Sequence, residues 1–373
     1  MSLESYEIKP VDNSQIFKDF IQFPYTLYKD NPYWIPPIKS DEKKLWTKHP
    51  ALKFVEMQKW VVYFKNRPIG RIAAFINHKY NEKTGLKYGR FSGLEMYNDE
   101  KGFGLLMGTA VEWLVKKGMT KIHGPLGYTN LDTQGMLVEG FDKVPSIASV
   151  YHLPYYKTLM RKYGFKKEND WIEFRLKLTD KPIKKAERGA KIIKERYNFK
   201  VFSPRSKSEL NTYSESIFDI LNQAYAHLHY VIELDDDLKN FYKRKYLSFL
   251  DPKYTFFVKD GSKIVGFLIS IPSLSEGMKK ANGKFFPFGW YYILKSLKHP
   301  KSIDTLLIGS LSEYDSKGIA VLLFEALHQV MLENNIKYIE TTGVFEDNYN
   351  VISNWKNYER TQHKRRRTWI KDL

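Results

Sequence analysis

Apolar and polar positions along this chain run through one order of elements twice. Tyr6 to Val11 alternates as a strand and Asn13 to about Tyr28 follows with helical spacing; Phe199 to Ser203 and Ser208 to about Ala226 repeat that pair. Each half then shows two strands around a tight turn. In the first they are Trp60 to Phe64 and Ile69 to Ile76, about Asn66-Arg67-Pro68. In the second they are Tyr254 to Val258 and Ile264 to Ile271, about Asp260-Gly261. Asp-Gly between two β-rich runs predicts a hairpin, because the turn needs residues that tolerate positive φ. A further strand (Arg90 to Tyr97; Thr305 to Leu311), an apolar helix (Leu105 to Lys117; Val321 to Asn334) and another strand (Lys121 to His123; Tyr338 to Thr341) complete the shared order. A repeat this long predicts tandem domains, not a solenoid.

Between the halves, Thr179 to Pro204 is rich in lysine, with Ala186 to Tyr197 readable as a charged connecting helix. The expected division is residues 1–178, a basic linker over 179–204, and residues 205–373. Each half is long enough to bury its own core.

A six-residue pattern, D-x-K-G-x-[G/A], stands at the same strand-to-helix junction in both halves. It reads Asp99 to Gly104 in the first and Asp315 to Ala320 in the second. Small residues there let the backbone approach a ligand, and the free N–H groups of a helix start can hold phosphate oxygens. Two copies in matching surroundings predict a duplicated phosphate-binding unit.

Composition narrows the chemistry. The chain has no cysteine, so disulfides, thiolate zinc sites and cysteine nucleophiles are excluded. His227 and His229 do not share a helix face and no HExxH spacing occurs, so no metal site is expected. No Ser-His-Asp arrangement is recognisable from local motifs. No apolar run approaches the roughly 20 residues of a membrane span, and the N-terminus lacks a signal-peptide layout; a cytoplasmic location is expected. The formal charge of +18 suits polyanionic company: a CoA-type cofactor, RNA, or an anionic membrane surface. The alternative is dispersed lysines that keep the protein soluble.

The element order and the small-residue turn before the central helix resemble the acyl-CoA N-acyltransferase (GNAT) family, in two copies covering nearly the whole chain. The resemblance implies an α+β fold with a mixed sheet in each of two tandem GNAT-like domains. Family members carry [Q/R]-x-x-G-x-[G/A] at this turn, and its amides hold the CoA pyrophosphate. Gly102 and Gly104, and Gly318 and Ala320, match the small positions. Asp99 and Asp315 depart from the pattern, since a carboxylate disfavours a neighbouring pyrophosphate; Lys101 or Lys317 could offset it. Tyr155-Tyr156 … Tyr163-Gly164-Phe165 is similar to the run that closes many family domains. In the second half Trp355 and Glu359-Arg360 stand in the corresponding positions, with Tyr358 a nearby phenol. Phe23-Pro24-Tyr25 … Tyr28 … Pro32 to Pro37, and Gly135 to Asp142, resemble a subgroup of large bacterial GNAT-like proteins.

The resemblance implies where an acyl transfer would be carried out. A thioester must be held, an amine deprotonated and an oxyanion met by a backbone N–H. In the second half the cofactor contacts would be Ser310, Leu311 and Ser312 on the fourth strand, Lys317, Gly318, Ile319 and Ala320 at the turn, and Asn348 beside the pantetheine arm. Glu340 and Glu346 are the candidate bases there, with Tyr358 as the acid for the thiolate. Glu95 is the equivalent base candidate in the first half. Solvent-facing strand residues and packed tyrosines are the structural alternative for each.

Three further segments were read from their pattern. Pro125 to Asp142 has no regular period and is expected as a loop over the first cleft or over the seam between halves. The aromatic run Phe285 to Leu294 interrupts the second half, where the first has only a short polar connection; packing at the seam is expected, with an acyl-channel lining or a membrane contact as alternatives. His363 to Arg367 is expected as the last strand, solvated with alternating residues exposed, unless it meets the CoA ribose phosphate.

The expected function is transfer of an acyl group from acetyl-CoA or a longer acyl-CoA to a small-molecule amine or peptide, with no metal and the second half holding the cofactor. Two alternatives remain: an aminoacyl-tRNA-dependent transferase of the peptidoglycan-bridge type, and a non-catalytic GNAT-fold binding protein. Neither acceptor, acyl length nor oligomeric state is legible.

Overall fold

The computed structural model describes residues 5–246 and 250–373. In the first half β1 (Tyr6–Pro10) leads to α1 (Ser14–Leu27) and α2 (Lys39–Thr47), then to the hairpin of β2 (Val55–Phe64) and β3 (Arg67–Asn77). A short α3 (His78–Thr84) precedes β4 (Tyr88–Met96), α4 (Glu100–Lys116) and β5 (Lys121–Gly124). β6 (Met136–Glu139), α5 (Tyr156–Lys162) and β7 (Lys166–Lys177) follow, and α6 (Asp180–Tyr197) connects the halves. The second half opens with β8 (Lys200–Phe202), α7 (Lys207–Thr212), α8 (Ser214–Ala224) and α9 (Asp236–Tyr246). The hairpin of β9 (Thr255–Asp260) and β10 (Lys263–Pro272) is followed by α10 (Ser275–Ala281) and α11 (Gly289–Lys298). β11 (Ser302–Ser310), α12 (Ile319–Glu333), β12 (Tyr338–Thr341), β13 (Val344–Phe345), α13 (Tyr349–Ser353) and β14 (Glu359–Asp372) end the chain.

The hairpins form where the sequence predicts them. The first turns at Lys65-Asn66, both at positive φ, one residue earlier than read from the sequence; the second turns at Gly261-Ser262. β3 is buried over most of its length because helices cover both faces of the sheet.

Among the described residues all strands join one sheet, in the order β1-β2-β3-β4-β5-β14-β7-β12-β11-β10-β9-β8, with β6 on β14 and β13 on β7. The last strand of the chain therefore lies inside the sheet, antiparallel to both β5 of the first half and β7. β7 in turn pairs with β12 of the second half. Each half lends its closing strand to the other.

The last strand and its alternation are as expected, but the interlock corrects the expected solvation: one set of residues is buried and the other is only half-buried. Lys364 and Arg366 are 1% and 4% exposed. The Arg366 Nε stands 2.7 Å from Glu173 Oε1, and its Nη1 donates to the carbonyl of Gln134. On the opposite face Arg365 and Arg367 both bond Asp170. Basic residues are tolerated in the middle of a sheet here because each head group finds a carboxylate or carbonyl.

The Pro125 to Asp142 stretch lies over the seam, one of the two expected positions. Tyr242 of α9 donates to Asp132, and β6 pairs with Arg365–Arg367 of β14. Gly140 is required just after β6: its φ is +83°, and a Cβ there would lie 1.9 Å from the His363 carbonyl oxygen.

Candidate active site

Two parallel strand pairs open into V-shaped clefts. β4 pairs with β5 only over Tyr88–Arg90, although β4 continues to Met96. β11 pairs with β12 over Ser302–Thr305 and continues to Ser310. Register aligns the halves: Gly70 of β3 faces Met96, and Gly266 of β10 faces Ser310. One residue back, Glu95 of the first half corresponds to Gly309 of the second, so only the first cleft carries a carboxylate at that position.

Glu95 is half-buried beside α1 and the start of α5. Its Oε2 accepts from the Tyr28 hydroxyl at 2.5 Å and the Tyr156 hydroxyl at 3.1 Å. Burial pushes its carboxyl up to about 7, against the smaller opposing effects of Arg71 and the two phenols. The same burial raises both phenols well above their ordinary value, so they remain donors. Tyr156 also accepts from the Met96 N–H at 2.6 Å, and Tyr155 donates to the Met96 carbonyl at 2.6 Å. Around this group Tyr28 stacks on Trp34 with centroids 5.1 Å apart, and Tyr151 meets Tyr28 edge-on. A carboxylate on a splayed strand inside an aromatic enclosure can take a proton from an amine with an apolar body.

The two D-x-K-G-x-[G/A] turns differ. In the first, the Asp99 carboxylate caps α4 by accepting from the Gly102 N–H at 2.8 Å, while its other oxygen accepts from Tyr6. Lys101 lies over the Tyr6 ring. In the second, no side chain caps α12, and Asp315 instead accepts from Ser310. Gly318 is the N-cap residue, with φ +78°. Ile193 of α6 approaches it so closely that a Cβ would lie 2.4 Å from its Cδ1. The α12 start has no side-chain cap but packs Ile193 against its glycine, whereas the α4 start gives the Gly102 amide to a carboxylate.

The remaining second-half candidates fall in separate neighbourhoods. The Leu311 N–H donates to Val265 O, which leaves it no proton for an oxyanion. Ser312 begins a short 3-10 turn, Lys317 lies over the Tyr314 ring, Ile319 is buried against Gly266, and Ala320 is half-buried in the first turn of α12. Asn348 caps α13 by accepting from Val351 N–H. Glu340 lies in the seam between Arg175 and His363, where burial pushes it up to about 7. Glu346 pairs with Lys167 and Arg365, which hold it below the usual carboxylate range. Tyr358 is buried 2.6 Å from His328 Nε2. The sequence reading missed Tyr28 and Tyr156 as partners of Glu95. Matching the two copies strand by strand, and asking where one keeps a carboxylate that the other replaces by glycine, is the signal that finds this site.

Comparison with solved structures defines the class. A tandem GNAT protein from the clavulanic acid biosynthesis pathway matches 99% of this chain and 98% of its own, with a TM-score of 0.57 at 12% identity. A GCN5-related glucosamine N-acetyltransferase region of a fungal multi-domain β-N-acetylglucosaminidase matches the whole chain over 38% of its own, with a TM-score of 0.59. The chain has the tandem GNAT fold. No family model matches it. Among curated proteins it is 27% identical to Protein YghO of Escherichia coli (strain K12), over 97% of this chain and 94% of that one. It is also 23% identical to the bacterial ceramide synthase of Caulobacter vibrioides (strain NA1000 / CB15N), over 98% and 97%.

Proposed function

We propose that the protein is an N-acyltransferase that moves an acyl group from an acyl-CoA to a long-chain amine at the open end of the first cleft. The observation that carries this reading is Glu95: a carboxylate past the point where β4 and β5 part, poised near neutrality between two phenols. Its counterpart in the second half is Gly309, which favours the first half as the catalytic one. The full-length similarity to a ceramide synthase supports an amine with a long apolar body, and the Tyr28, Trp34 and Tyr151 enclosure suits such an acceptor.

The Glu95 carboxylate takes the amine proton, and the nitrogen lone pair attacks the thioester carbonyl. The tetrahedral oxyanion collapses, the C–S bond breaks, and the thiolate leaves with the electron pair and takes the proton held on Glu95, directly or through water, which restores the carboxylate. Tyr28 and Tyr156 hold the Glu95 carboxylate in position and keep their own protons. The acyl-CoA pyrophosphate would be held at the start of α4, which follows β4 of the same cleft, with the Gly102 N–H released from Asp99 and Lys101 supplying positive charge.

The test is an assay of free thiol release from palmitoyl-CoA with sphinganine as acceptor, for the wild type and Glu95→Gln. Turnover that falls at least a hundredfold in the variant supports the reading. Turnover that is unchanged in Glu95→Gln and lost in Glu340→Gln would move the reaction to the seam of the second half.

A further inference from the structure

The aromatic segment after α10 does not pack at the seam. Phe286 and Phe288 are 73% and 66% exposed, and Phe285, Trp290, Tyr291 and Leu294 also face outward. What touches the first half is the base of the segment, through one backbone carbonyl and one lysine side chain. Gly283 O accepts from Lys39 N–H, and Lys279 reaches Pro32 O. The inner side of α11, Ile293 and Leu297, packs on the second-half core. The aromatic tip therefore stands clear of the fold, on an anchored base.

Charge marks this tip as strongly as apolarity. From Gly277 to Ile303 there is no acidic residue, whereas Lys279, Lys280, Lys284, Lys295, Lys298 and Lys301 are all exposed. Of these, Lys301 is paired with Glu276. On α11, Trp290, Tyr291 and Leu294 share a side, with Lys295 and Lys298 beside them, which is the layout of a helix lying in a membrane interface. Tryptophan and tyrosine favour the headgroup level, phenylalanine inserts below it, and lysines meet anionic headgroups.

We infer that the α10–α11 segment docks the protein on an anionic phospholipid surface, inserting Phe285, Phe286 and Phe288 and seating the lysines on headgroup phosphates. The segment also abuts the Pro32–Lys39 stretch, whose Trp34 stacks on Tyr28, the partner of Glu95. Docking there brings the rim of the first cleft to the bilayer. The inference stands on exposure and charge, independently of the reaction assigned to Glu95.

The experiment is flotation of the full chain with phosphatidylcholine vesicles, with and without phosphatidylglycerol. It is repeated on Phe286→Ser/Phe288→Ser and on Lys284→Glu/Lys295→Glu/Lys298→Glu, with unfolding midpoints confirming that both variants fold. The wild type is expected to float with the phosphatidylglycerol vesicles, and each variant to lose affinity by about tenfold or more. Added salt should weaken wild-type binding. Absence of vesicle binding by the wild type, or full binding by both variants, overturns the inference. So does a wild-type dimer that Phe286→Ser/Phe288→Ser converts to monomer, since the patch would then belong to a second copy.

Discussion

The Tyr28 hydroxyl lies 2.5 Å from the Glu95 carboxylate, joining a helix near the N-terminus to the lip of the first cleft. Burial lifts the Glu95 carboxyl out of the ordinary carboxylate range to about 7, and this bond, donated to the charged form, opposes that rise.

The pH dependence of acyl transfer follows from that value. Only the carboxylate form accepts a proton, so the rate should rise about tenfold per pH unit below about 7 and level off above it. Tyr28→Phe removes a donor to the charged form, so the midpoint should move upward. The measurement is the rate profile of both proteins; an unmoved midpoint would separate Tyr28 from the titration of Glu95.

Asp99 holds the first helix start in a self-capped state. Asp99→Asn keeps a cap but removes the negative charge beside the amides. If the donor pyrophosphate binds at α4, calorimetry should show affinity for acyl-CoA rising severalfold. Unchanged affinity in Asp99→Asn, with loss in Lys317→Ala, would assign the pyrophosphate to the second turn.

The interlocked strands predict that the halves do not fold apart. A chain ending at residue 178 lacks β14, leaving β5 and β7 without the strand between them. Such a fragment should be insoluble, or regain a cooperative unfolding transition only with the second half supplied. Within the full chain, Glu173→Ala strands the buried Arg366 guanidinium and should destabilise by about 3–5 kcal/mol in urea titration.

Asp304 predicts a pH-dependent stability. It is fully buried opposite Glu340, and burial pushes its carboxyl up to about 8. The folded chain then keeps a proton that the unfolded chain releases above about pH 4. Stability should therefore fall as pH rises from about 4 to about 8 and change little from this group beyond. Asp304→Asn should remove that component, gaining on the wild type by about 4 kcal/mol at pH 9 relative to pH 5. Urea midpoints that stay parallel for the two proteins across this range would contradict it.

The sequence by itself determined the repeated elements, both hairpins, the connecting helix and the fold class, because periodicity, turn residues and caps act over a few neighbouring residues. It also supplied Glu95 as a candidate and the duplicated D-x-K-G-x-[G/A] turn as a pattern. Tertiary structure alone decided the partners. That Tyr28 and Tyr156 meet on Glu95, that Gly309 takes the same place in the other copy, and that β14 crosses into the first half all depend on pairings between residues far apart in the chain. The basic last strand shows the reason most clearly: Arg366 looks like a solvated residue until Glu173, brought beside it by the sheet, satisfies its charge.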